Sequence, residues 1–139
     1  MINLSWLNGF YNETFIPIIN DLNLSNMNER SLEFLRLLKA EESFYINLLK
    51  SSTEKTFRDQ MFKVTQTQLF DAIRMITSNV QVSDRDMLFV TEFYCHGIVG
   101  DVVSWIQKGM KSSPEYIASQ LKKLLKGTKL YISNFVENE

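Results

Sequence analysis

The chain has 139 residues, 45% of them apolar and 22% charged, with a formal net charge of −1. That is the size and balance of one folded domain with a single sizeable core, which excludes a disordered chain or a fibre. The near-neutral charge argues against a surface that grips nucleic acid by itself, and no apolar run reaches the roughly 18 residues a membrane span requires.

Helical spacing dominates from the start. Leu7, Tyr11, Phe15, Ile18 and Leu22 recur every three or four residues, which predicts a helix over 1–22 that Pro17 bends or ends. The polar stretch Asn23 to Asn28 reads as a loop. From Glu29 to Ser51 the positions Leu32, Leu35, Leu38, Phe44, Tyr45, Leu48 and Leu49 predict a helix broken near Ala40 to Ser43, with a boundary at Ser51 to Thr53. A long helix follows over Glu54 to Thr77, carrying Phe57, Met61, Val64, Leu69, Ile73 and Ile76. Its central run Thr65-Gln66-Thr67-Gln68 either lines a cavity with polar groups or forms a solvated face. The Met residues, notably Met61, Met75 and Met87, are adaptable fillers of a core before they are walls of a pocket.

After a break at Ser78 to Ser83, Ser83 is placed to cap a helix over Asp84 to Lys108, with Asp84 and Asp86 near its positive end. Two apolar stripes run along it, one through Phe89, Phe93, His96, Gly100 and Val103, the other through Leu88, Cys95, Ile98, Val102 and Trp105. A helix apolar around so much of its circumference is expected to be buried on two sides. Gly97 and Gly100 each weaken the helix by up to about 1 kcal/mol relative to Ala, so another helix is expected to approach them closely. Gly109 suits a left-handed helix stop with Met110 making the accompanying apolar contact. Ser113, Pro114 and Glu115 then open the last helix, over 114–136, whose stripe Ile117, Leu121, Leu124, Thr128, Tyr131 and Phe135 runs on through Gly127.

The residues that suggest chemistry are few. A single Cys allows no internal disulfide or cysteine-cluster metal site, and a single His cannot supply two imidazoles, so neither a metal nor a cofactor is expected. Cys95 and His96 are adjacent on a helix, so their side chains diverge by about 100° and do not form a nucleophile–base pair. The expectation is a buried thiol and a packed or ligand-facing imidazole, without catalytic residues. Lys122, Lys126 and Lys129 form a solvated ridge opposite the last apolar stripe. As a DNA-reading helix-turn-helix, Pro114 to Leu125 fails, because Lys122-Lys123 stands where the turn Gly belongs. The opening MINLSWLNGFYNETF lacks a basic signal-peptide start, which predicts a cytoplasmic protein.

The stretch FYCHGIVGDVVSWIQKGMKSSPEYIASQLKKLL resembles the C-terminal end of TetR-family regulators. The matching positions are Gly97, Gly100, Trp105, Gly109, Ser113, Pro114, Glu115, Ile117 and Ala118; upstream, Phe44-Tyr45 with Leu48-Leu49 is similar to a weaker family segment. The resemblance implies an all-α regulatory domain over 1–139, with 1–22 as a linker-like helix and 29–78 as sensor helices around a cavity for an unknown small-molecule effector. It also implies a homodimer in which 84–108 and 114–136 form a four-helix bundle with a second subunit. Phe93, Gly97, Gly100, Val103, Ile117, Leu121 and Leu124 are the expected dimer contacts, and Met61, Thr65, Gln68 and His96 the expected pocket residues. The basic reader domain with which family members begin is absent from these residues, so DNA is expected to be touched only through such a domain, and the chain to be a truncated or isolated regulatory domain. The competing reading is a stand-alone helical interaction module or co-activator with no DNA reader.

Overall fold

The computed structural model of the chain describes residues 27–78 and 80–137. The helix expected over 1–22, its bend at Pro17 and most of the loop after it lie outside the described residues. Among the described residues five α-helices follow one another: α1 (Met27–Ala40), α2 (Glu42–Leu48), α3 (Glu54–Ile76), α4 (Asp84–Gln107) and α5 (Pro114–Glu137). Among the described residues there is no strand, so the fold is all-α. The expected break between α1 and α2 falls at Glu41, and α5 runs through Gly127 without interruption. The first described helix begins two residues early, since Met27 and Asn28 are helical instead of looped.

The boundaries follow from local hydrogen bonding. At the end of α2 the Leu48 carbonyl accepts from Ser51 Oγ at 2.5 Å and Thr53 Oγ1 at 3.2 Å, so side-chain hydroxyls replace the missing helical donors. Ser83 Oγ accepts from the Asp86 amide at 3.1 Å, and Ser113 Oγ from the Tyr116 amide at 3.1 Å, capping α4 and α5. α4 ends in a Schellman turn: the Gly109 amide donates to the Ile106 carbonyl at 3.0 Å and the Met110 amide to the Trp105 carbonyl at 2.8 Å. Gly109 has φ +90° and Met110 φ +53°. A non-Gly residue in the left-handed region is uncommon, and here burial compensates, because the Met110 side chain is wholly enclosed. Trp105 Nε1 ties the turn across to the Ser112 carbonyl at 2.8 Å.

Packing divides into two seams. α3 and α4 lie along one another, and α5 packs chiefly on α1. The core joins Leu35, Leu38 and Leu48 to Phe57, Ile73, Val90, Val99, Ile106 and Met110. Two polar groups on these inner faces satisfy themselves locally: Thr77 Oγ1 donates to the Ile73 carbonyl and Thr91 Oγ1 to the Met87 carbonyl, each at 2.8 Å. The second seam carries charge. Arg36 Nε and a terminal guanidinium nitrogen donate to Glu115 Oε1 at 3.2 and 2.9 Å, and Lys39 Nζ donates to the Met110 carbonyl at 3.1 Å. Backbone hydrogen bonding at the start of α5, aided by Arg36, holds the Glu115 carboxyl below the usual carboxylate range.

Candidate functional site

The side chains that α4 turns inward are Met87, Val90, Thr91, Cys95, Val99, Val102, Val103, Trp105 and Ile106. On its other side Phe89 is 65% and Phe93 69% exposed. The Phe93 ring stands edge-on to Tyr94 at 5.8 Å, and the two Phe residues with Val90 and Tyr94 line a shallow groove of about 280 Å³. Further along the same face come Gly97 and Gly100, where a methyl group added to either backbone meets no atom within 4 Å. The helix expected to approach them is therefore not part of the described chain. Large aromatic side chains left in water beside two bare backbone positions form an apolar face that needs an explanation.

Three of the expected contact positions, Val103, Ile117 and Leu121, are buried or half-buried in the described chain. Val103, at 0% exposure, lies in the chain's own core, because it sits on the rim of the outward stripe and turns toward Val99 and Ile106. Its side chain has no surface left for a partner. On α5, Ile117 packs against the core and Leu121 is half-buried beside it. Further along the described part of this helix, Leu124 of the same stripe is 54% exposed, as is nearby Tyr116 at 55%.

A second groove, of about 300 Å³, opens along the α3–α4 seam and is lined by Arg58, Asp59, Phe62, Lys63, His96, Val99 and Gly100. His96 is exposed, and its ring lies 4.4 Å from that of Phe62 at a tilt of 39°. Below the rings, Cys95 Sγ contacts the Phe62 carbonyl at 3.4 Å, and one turn before it Gln66 Nε2 donates to Glu92 Oε1 at 3.4 Å. Of the four expected pocket residues only His96 reaches this groove. Met61, Thr65 and Gln68 occupy the stripe of α3 that also carries buried Phe57; Met61 is buried, Thr65 and Gln68 half-buried. Arg58, Asp59, Phe62 and Lys63 belong to the adjacent stripe, which sequence reasoning passed over. The pairing of 58/59 with 62/63 one turn later was the available signal.

Chemistry at Cys95 is disfavoured by its surroundings. Burial, reinforced by the nearby Glu92 carboxylate, pushes the thiol up to about 12, so the nucleophilic thiolate is scarce at neutral pH. Among the described residues no three His, Cys, Asp or Glu side chains gather in a group able to hold a metal ion, and no helix is long and apolar enough to cross a membrane.

No curated protein matches the chain in a sequence comparison. A TetR-type family model described as "Transcriptional regulator C-terminal region" does, over residues 25–127. That span takes in all of α1 to α4, the glycine-bearing outward face and the turn into α5. With an all-helical fold and a match covering most of its length, the chain belongs to the TetR family of transcriptional regulators, as a C-terminal regulatory region.

Proposed function

We propose that the chain is a dimerising, effector-sensing domain of a TetR-family regulator, acting in the cytoplasm on DNA through a reader domain outside these residues. The observation that carries the dimer is the outward face of α4: Phe89 and Phe93 exposed, and Gly97 and Gly100 placed where an added Cβ meets none of the described residues within 4 Å. Helix-interior glycines with room beside them among the described residues are accounted for by a helix of a second copy crossing there, with Tyr116 and Leu124 of α5 flanking the contact. Burying two Phe side chains alone contributes several kcal/mol at about 1.5–3 kcal/mol each. The contact set is then Phe93, Gly97, Gly100 and Leu124, joined by Phe89 and Tyr116, with Ile117 and Leu121 packing behind them.

Such an arrangement converts ligand binding into altered spacing of two attached readers. An effector that prefers one packing of the helices shifts the population toward it, by no more than its difference in affinity for the two packings. Whether both readers engage their half-sites at once depends on that spacing. Sedimentation velocity tests the dimer: the native chain should sediment as a dimer at micromolar concentration, and Phe93→Asp should shift it to monomer with an unchanged helical circular dichroism spectrum. A native chain that sediments as a monomer refutes the reading.

A further inference from the structure

We propose that the groove between α3 and α4 is a binding site for a small aromatic carboxylate, held flat against the Phe62–His96 ring pair. This rests on the sensing reading for its purpose and adds a location and a ligand class. Half-buried Phe62 and exposed His96, their rings 4.4 Å apart, offer a π surface open to one side. Gly100, one turn beyond His96, leaves bare backbone in the groove wall, since even a methyl group there would meet nothing within 4 Å. A flat ring can therefore lie against the helix. The volume of about 300 Å³ is at the small end for ligand pockets, which suits one ring with a short acidic arm.

The rim sets the charge. The lining carries Arg58 and Lys63 beside Asp59, and because Glu54 pairs with Arg58 at 2.6 Å, Lys63 is the cation left to meet an anionic ligand. Glu54 Oε1 accepts from Arg58 at 3.0 and 2.6 Å, fixing the guanidinium while leaving it N–H groups to spare. A carboxylate gains charge-assisted hydrogen bonds from Lys63 and from the guanidinium N–H groups that Glu54 leaves. Gly100 belongs to this wall and to the outward face of α4, so an occupant lies against the surface offered to a second copy.

Amide chemical shifts of the isotopically labelled 139-residue chain, titrated to millimolar concentration with benzoate, phenylacetate and indole-3-acetate, test the site against benzylamine and benzyl alcohol. The expected result is saturable movement of the Phe62, Lys63, His96 and Gly100 resonances with at least one acid, and weaker movement with the amine and alcohol. Lys63→Met should weaken that acid by about fivefold or more, the loss of one charge-assisted hydrogen bond, and His96→Ala should weaken it independently. Unchanged circular dichroism confirms that both variants fold. No saturable movement with any acid, or equal movement with benzylamine, overturns the proposal. Movement confined to the Met61, Thr65 and Gln68 stripe overturns the groove while supporting a sensor elsewhere. A monomer that binds an acid in the groove supports the proposal even though the dimer reading fails.

Discussion

The two sides of α4 are built from similar residues and meet different surroundings. The inner side sets Val90, Cys95, Val99, Val103 and Ile106 against α3 and the rest of the core, each 0–2% exposed. The outer side sets Phe89 and Phe93 in solvent and then offers two glycines. Two aromatic side chains stand on the outside, from which a free-standing domain gains nothing. The difference indicates that the inner side is fitted to a chain already present, while the outer side carries area and bare backbone suited to a surface that arrives later.

Substitution separates the two sides most clearly. Ile106→Ala should destabilise the chain by about 2–5 kcal/mol, because it leaves a cavity among side chains that cannot collapse around it. Phe89→Ala should change the stability of the isolated subunit by less than about 0.5 kcal/mol, as for an exposed position without partners. Urea unfolding at several protein concentrations measures both and separates subunit stability from association. If Phe89→Ala destabilises the monomer as much as Ile106→Ala, the outer side is already covered and the comparison fails.

How far the sequence carried this picture depends on which interactions are local. The helix boundaries at Ser83, Gly109, Ser113 and Pro114 were legible because caps and left-handed stops are written within a few residues. The doubly apolar character of α4 was equally plain, yet it could not tell which positions the chain keeps for itself. Val103 lies close to the Phe89 stripe in angle, and only the placement of α3 turned it inward. The α3–α4 groove was visible only through His96, since Gly100 was expected as a dimer contact. Its other wall, Arg58 to Lys63, depends on register between helices far apart in sequence, which periodicity does not encode.

The corner that joins the two proposed partner-facing helices gives a smaller effect. Gly109 sits at φ +90°, where a Cβ is strained whatever space surrounds it. Gly109→Ala should therefore cost about 1–2 kcal/mol in thermal or urea unfolding. The loss would act on both sides of α4 at once, since Met110 on the same turn is part of the core and the turn sets the departure of α5. A neutral result would mean that the Schellman turn relaxes without disturbing either side.

Gly97→Ala has a small effect on the subunit and discriminates best, because the subunit and its assembly predict opposite signs. Among the described residues the new methyl meets nothing within 4 Å, so the expected consequence for the subunit is improved helix propensity, a stabilisation of up to about 1 kcal/mol. Against a helix of a second copy crossing at the glycines, the same methyl holds the backbones apart and weakens association. Unfolding under conditions where the chain is monomeric should show the gain, and sedimentation across a concentration series should show a raised dissociation constant. Gain in both measurements would mean that no helix crosses at Gly97, and would move the proposed contact back toward Phe89 and Phe93. Gain in the first with loss in the second would place a partner backbone at the outer side of α4, which is the contact that its sequence, with glycine where alanine would hold the helix better, is arranged to receive.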